Sequence, residues 1–357
     1  MAIPKVTYLF GAGASAYCLP TIETLKSTMS SLESKIVTLI RNQYDIAPLT
    51  DGFWEADIGK LNEYRVFLEH LIWLRTNCEK HKTPDTLAKH FFLTGGENSS
   101  ELSKLKLTLS AVFTLLQCSN PFGDPERQYP DMRYDSLLMG LLKGSQDQLH
   151  IPEHIKFLSW NYDLQFELAA MKHFGSSDII ETQLKLKITP TIVNLTAGNL
   201  PSLVHLNGVA GMYEYDNNKT NHLYRKIGKE WTEVFDEISF IFQKPYKYTL
   251  SVNNLFTFAW EKKNVSLRAI DFATKIARNS DVLVVIGYSL PPFNRDVDRQ
   301  IFEAFINAGG LMPKKIYFQN PTDKLEDLVE QFDINRKFMI HKSDCLDFFI
   351  PPGLETS

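Results

Sequence analysis

The chain has 357 residues, of which 44% are hydrophobic and 22% charged, and it carries a formal net charge of -4. These are ordinary globular values, sufficient for one large domain with an insertion or for two domains. A local basic patch aside, the mild acidity excludes a general electrostatic grip on nucleic acid or on an anionic membrane.

In chain order, the first predicted strand covers residues 5–10 and runs directly into Gly11-Ala12-Gly13-Ala14-Ser15. Its apolar start is too short for a signal peptide. Glycines at such a join have two readings: a tight strand-to-helix turn that needs their dihedral freedom, or a backbone that approaches a phosphate. Helical spacing follows at Leu25, Met29, Leu32, Ile36 and Ile40. Between about 31 and 148 strand signals nearly vanish, and YRVFLEHLIWLRTNC and ELSKLKLTLSAVFTLLQC read as helices. SNPFGDPERQYPDMRYD reads as a long loop ahead of SLLMGLLKG.

Further strands are expected at 155–160, 203–206, 281–288 and 315–319, with a weaker one at 338–341. Continuous apolar runs such as VLVVIGY suit a parallel sheet covered on both faces. Residues 209–260, rich in Tyr, Asn and Lys, show no clear period and read as irregular, a mobile cover over a cleft. The pattern predicts an α/β fold, a Rossmann-like parallel sheet with helices on both faces and a helical insertion. The expected division is 1–30 with 149–357 for the sheet domain and 31–148 for the insertion.

No segment approaches the roughly 18 consecutive apolar residues of a membrane span, so a cytoplasmic protein is expected. Cys18, Cys78, Cys118 and Cys345 lie far apart without a CxxC pair, which excludes a four-cysteine zinc module and gives no disulfide framework. No metal is expected.

Five motifs fall at the C-terminal ends of predicted strands, where open parallel sheets bind ligands. They are GAGAS, Ser159-Trp160-Asn161-Tyr162-Asp163, His205-Leu206-Asn207-Gly208, Gly287-Tyr288-Ser289-Leu290-Pro291-Pro292 and Gln319-Asn320-Pro321. One could arise from turn chemistry; five in register are hard to explain that way. The set resembles the sirtuin-like family, and within it the zinc-less branch of bacterial anti-phage defence proteins. It covers the first twenty-five residues and about 150–350.

The resemblance implies a Rossmann-type sheet that binds NAD as substrate and cleaves the nicotinamide–ribose bond. Lysine-deacylating sirtuins carry a four-cysteine zinc module, whose absence moves the expectation from deacylase to NAD hydrolase. Gly11, Ala12, Gly13 and Ser15 would offer amides and a hydroxyl to the pyrophosphate, helped by the N-terminus of the following helix. Asn161 matches the asparagine that holds the nicotinamide ribose, and Asp163 the aspartate that reads the carboxamide; an Asx turn or helix cap is the alternative for each.

The family has a histidine base directly before the glycine of HLNG, and Asn207 occupies that position here. His205, two residues earlier and on the same strand face, is the candidate base, or an ordinary half-buried histidine. Gly287 and Ser289 match the segment facing the adenosine ribose and phosphate, Asn320 an asparagine near that ribose, and Asp344 with Cys345 resemble the segment capping the adenine; for Cys345 a small core residue is the alternative. The branch often carries an acidic residue near Asn294, for which Asp296 and Asp298 are the candidate substitutes, the alternative being that they cap a helix. A weak site that senses NAD or ADP-ribose for a partner ATPase or nuclease is the alternative to hydrolysis. The apolar stretches around Ile72-Trp73-Leu74 and Val112-Phe113 point to a homo-oligomer or a docked partner, by resemblance a HerA-type ATPase, or else cap the chain's own core. No direct nucleic-acid binding is expected.

Overall fold

Val6, Tyr8 and Phe10 of the first strand enter one apolar core, while Leu9 between them enters another. That alternation marks a strand with a covered sheet face on each side. In this computed structural model the described residues are 3–44, 59–81, 83–97, 99–123, 130–144, 149–190, 200–215, 219–223, 225, 229–248, 253–261, 263–309 and 313–354.

Among them the elements run β1 (Val6–Phe10), α1 (Ile22–Tyr44), α2 (Gly59–His81), α3 (Pro84–Gly95), α4 (Ser100–Cys118), α5 (Met132–Leu141), β2 (Ile155–Ser159), α6 (Gln165–Phe174), α7 (Ile179–Lys185), β3 (Ile188–Thr189) and β4 (Leu203–His205). There follow β5 (Met212–Tyr215), β6 (Lys219–His222), α8 (Trp231–Tyr248), β7 (Asn253–Asn254), α9 (Asn264–Arg278), β8 (Val282–Ile286), α10 (Arg295–Ile306), β9 (Lys315–Gln319), α11 (Leu325–Phe332) and β10 (Met339–Lys342).

The chain divides into two compact units. The first, Met1–Cys18 with Gln128–Val209 and Thr257–Ser357, is built on a seven-stranded sheet of order β10-β9-β8-β1-β2-β4-β3. Every pairing in it is parallel. Tyr134 of α5 and Phe166 of α6 cover one face with Phe10 and Phe157. Ala273 of α9, Ile301 and Phe302 of α10, and Leu328 of α11 cover the other with Leu9, Leu158 and Val285. This is the expected α/β Rossmann-like architecture. Leaving out the short edge strand β3, the order is that of a doubly wound dinucleotide-binding sheet, with its direction of growth reversing between β1 and β8.

The second unit, Leu19–Arg127 with Ala210–Phe256, gathers α1 to α4 and α8 around α2 and α4. It also holds a three-stranded antiparallel sheet of order β6-β5-β7. Leu74, Val112 and Phe113 are buried, Trp73 stacks on Phe91 at 5.8 Å, and Ile72 is 37% exposed. These stretches therefore offer no continuous uncovered apolar face.

Two expectations change. Residues 209–260 are not all irregular: among the described ones β5, β6, α8 and β7 lie there, the three strands being only two to four residues long and so too short to show a period. The loop expected to reach Asp135 ends at Asp131, whose carboxylate caps α5 by accepting from the Arg133 amide at 3.1 Å. No helix among the described residues is long and apolar enough to cross a membrane.

Candidate functional site

The glycine turn stands where β1 meets β8. The Gly11 amide donates to the Ile286 carbonyl and the Gly13 amide to the Gly287 carbonyl, both at 2.9 Å. A Cβ on Gly11 would lie 2.6 Å from Tyr288 Cα, and one on Gly13 2.9 Å from Gly287 Cα. Gly287 itself has φ +59, and a Cβ there would meet the Ala14 nitrogen at 2.4 Å. The three glycines thus let two backbone turns lie directly against each other. The Gly11 and Gly13 amides are spent on that contact. Ala12, at the tip, is exposed. The turn closes as a four-residue 3-10 segment, Ala12–Ser15, and the expected long helix, α1, follows it only from Ile22, so its N-terminus is not at the turn.

Arg133 braces this turn from behind. Its Nη2 donates to the carbonyls of Gly13 and Ala14, each at 3.1 Å, and to Asp131 Oδ2 at 2.6 Å, while Nε reaches Asp131 Oδ1 at 2.9 Å. The guanidinium lies 4.0 Å from the Tyr17 ring centre, and Nη1 reaches the Cys345 carbonyl at 3.4 Å. Burial disfavours its charge, but the Asp131 carboxylate outweighs that and raises its pKa.

At the end of β2, Asn161 Nδ2 donates to the Gly11 carbonyl at 2.9 Å and to Ser15 Oγ at 3.3 Å. Ser15 Oγ also lies 3.1 Å from the Tyr134 hydroxyl. The Asp163 carboxylate accepts from the Gln165 amide at 3.1 Å, an Asx turn ahead of α6, and takes a further hydrogen bond from Ser15. Burial pushes Asp163 up to about 6, against the pull of those donors and of His205.

His205, at the end of β4, is fully buried with both ring nitrogens engaged. Nε2 lies 2.9 Å from Glu167 Oε1 and Nδ1 3.2 Å from the Asn161 carbonyl. Burial alone would lower the imidazole pKa and raise the Glu167 carboxyl; the pairing reverses both, so histidine lies above its ordinary value and glutamate below. In this arrangement His205 has no lone pair available to a water molecule. Asn207 is buried, with Nδ2 on the Trp160 carbonyl at 3.3 Å and Oδ1 without a hydrogen-bond partner.

On the β8 side, Ser289 is exposed. Asp298 of α10 is buried and accepts from Trp160 Nε1 at 2.9 Å and from the Tyr288 hydroxyl at 2.7 Å. Asp296 is exposed. Asn320 forms an Asx turn with Thr322 and donates from Nδ2 to the Tyr288 carbonyl at 3.4 Å. The segment after β10 is anchored by Gln319, whose Nε2 donates to the carbonyls of Asp344 and Asp347, both at 2.6 Å, and whose Oε1 accepts from the Phe349 amide at 3.0 Å. Cys345 is partly exposed, and burial raises its thiol pKa.

Direct contacts therefore join Gly11, Gly13, Ser15, Asn161, Asp163 and Gly287. His205 joins them through the Asn161 carbonyl, Asn207 through the Trp160 carbonyl, Asn320 through the Tyr288 carbonyl, and Cys345 through Arg133. Ala12 and Ser289 are exposed beside these contacts in sequence.

Two participants escaped the sequence reading, Glu167 and Arg133, while Gln319 entered it only as the first residue of its strand-end motif. Both of the former left a signal. Glu167 shares the helical face of Leu164, Leu168 and Met171, and Arg133 that of Leu137 and Leu141, so each is a charge on an apolar stripe. Among the described residues no group of three or more His, Cys, Asp or Glu side chains is arranged to hold a metal ion.

No protein-family model matches the chain, and no curated protein matches it. Among solved structures it is similar to a crystal structure of Sir2 in complex with the inhibitor EX-527, 2'-O-acetyl-ADP-ribose and a deacetylated p53 peptide. The identity is 12%, over 89% of this chain and 82% of that one, with a TM-score of 0.37.

Proposed function

We propose that the chain is an NAD glycohydrolase that cleaves NAD to nicotinamide and ADP-ribose, acting in the cytoplasm as an NAD-depleting effector of anti-phage defence. The observation that carries this reading is the Asn161 carboxamide seated on the glycine turn, at the point where the strand order reverses. Crevices at such points accept dinucleotides, and the motif set that resembles zinc-less sirtuin-like defence proteins converges there.

In this reading Ala12 and Ser289 face the phosphates and adenosine ribose, with Asn320 and Cys345 further along the adenosine side. Gly11, Gly13 and Gly287 keep the two turns close, and Asn207 lies behind the nicotinamide end. Heterolysis of the nicotinamide–ribose bond leaves neutral nicotinamide and an oxocarbenium-like ribose, which water captures with loss of a proton. Holding the ribose in register is the main demand on the protein, and a neutral carboxamide meets it without titrating. Asp163 supplies a carboxylate beside that centre. His205 can act as base only after its bond to Glu167 opens. A homo-oligomer or a HerA-type ATPase partner belongs to the same reading.

The engaged imidazole of His205 favours a second reading, a module that binds NAD or ADP-ribose and controls a partner without turnover. Incubating the pure protein with NAD separates the two. Nicotinamide release supports the hydrolase; NAD binding in a calorimeter with no nicotinamide supports the sensor; neither event removes both.

A further inference from the structure

Glu167 is entirely buried; its Oε1 lies 2.9 Å from His205 Nε2 and accepts from Gln183 Nε2 at 3.1 Å. The opposite ring nitrogen, Nδ1, faces the Asn161 carbonyl at 3.2 Å. A carbonyl only accepts, so Nδ1 carries a proton; the Glu167 carboxyl lies below its ordinary value beside His205 and Gln183, and once ionised it only accepts, so Nε2 carries another. The groups facing the ring are thus Glu167 from α6, backed by Gln183 from α7, and Asn161 and Asp163 from the segment after β2. Both carboxylates favour the charged ring. The imidazolium makes a charge-assisted hydrogen bond to the main chain of the residue whose side chain reaches the Gly11 carbonyl.

We propose that Glu167 is a positioning residue of this site: it holds His205 as an imidazolium, which pins the Asn161 backbone and so aims the Asn161 carboxamide at the glycine turn. The role rests on the hydrolase reading above, in which Asn161 holds the ribose. His205 is then a support and not the proton acceptor, and the branch's histidine function is not transferred from position 207 to position 205.

The test uses the full chain and Glu167→Gln. The amide keeps the shape and can donate both to a neutral ring and to Gln183 once that carboxamide turns to present its oxygen, so the hydrogen-bond frame survives while the charge is lost. Nitrogen-15 NMR of the imidazole at pH 8 is expected to show both His205 nitrogens protonated in the wild type and only one in Glu167→Gln. Nicotinamide release is expected to fall about tenfold in kcat, with KM for NAD changed less than about twofold, and to gain a pH dependence from the freed histidine. A neutral His205 in the wild type at pH 8 overturns the proposal whether or not the variant folds. So does a folded variant with wild-type kcat and pH profile. If the wild type releases no nicotinamide, the hydrolase reading fails, and NAD affinity decides instead: a loss of fivefold or more in Glu167→Gln supports positioning, and unchanged affinity overturns it.

Discussion

The Asn161 carboxamide nitrogen donates to the Gly11 carbonyl at 2.9 Å, which ties the chain leaving β2 to the chain leaving β1. The bond orients the side chain without using its carbonyl oxygen, which in the proposed hydrolase meets a ribose hydroxyl. Asn161→Ala is therefore expected to lower kcat for nicotinamide release by about 10²–10³-fold, as for other single preorganised donors. The fold, followed by circular dichroism, is expected to persist. A wild-type rate in a folded Asn161→Ala protein would remove this asparagine from the site.

Side chains at Gly13 and Gly287 meet backbone, which cannot rotate away. A valine at Gly13 would press on Gly287 Cα and its carbonyl, and any residue at Gly287 would combine positive φ with a Cβ 2.4 Å from the Ala14 nitrogen. Loss of NAD binding in Gly13→Val is thus expected to come with a less stable fold. Gly287→Ala is expected to cost about 2 kcal/mol or more, seen as a lower urea midpoint. An unchanged midpoint would show that the two turns separate easily.

Removing Arg133 strips a buried carboxylate of its partner. Arg133→Met leaves Asp131 with backbone donors from Tyr17 and Arg133 itself but no cation, and is expected to cost about 3–5 kcal/mol. Adding Asp131→Asn should recover part of that loss, because the unpaired charge goes with it. Denaturant titrations of the two single variants and the double give the coupling directly. Additive losses would mean that the bidentate pair contributes nothing as a pair.

The Asp298 carboxyl sets an acid-side stability. Burial lifts it from 3.8 to about 7 in the fold, in spite of the bonds from Tyr288 and Trp160. With the folded value above the unfolded one, the unfolded chain releases this proton first. This contribution to stability is complete below about pH 4, declines as pH rises toward 7, and levels off above it. Asp298→Asn is expected to lose less stability than the wild type between pH 5 and pH 8 in paired urea titrations. Equal losses would contradict the shift.

The sheet was legible because its strands are rich in apolar residues, and a continuous run such as VLVVI needs cover on both faces wherever it lies. The motifs at strand ends were legible for the same reason: once the sheet is parallel, every C-terminal end faces one side. Residues whose role depends on a distant partner were not. Gln319 reads as the polar end of a strand until the segment at 344–349 folds onto it. Arg133 sits in a stretch read as loop, and β3 is two residues long, too short for any period. The glycine turn carried both of its readings in the sequence, and only the placement of Gly287 against it shows the close packing.

β1 pairs with β2 on one side and with β8 on the other, Val6 opposite both Ile155 and Val282. The strand that comes first in the chain order of these seven is therefore central to the sheet, and its second edge has no partner until β8 has been synthesised. Loop closure over that separation is slow compared with forming a local helix. During synthesis VTYLF is an apolar strand with open edges, a template for wrong pairing. Expression should thus respond to holdase chaperones and to translation speed ahead of β8, and the sheet should acquire protease resistance late, only once residues 282–286 have arrived and β9 and β10 can add beside them.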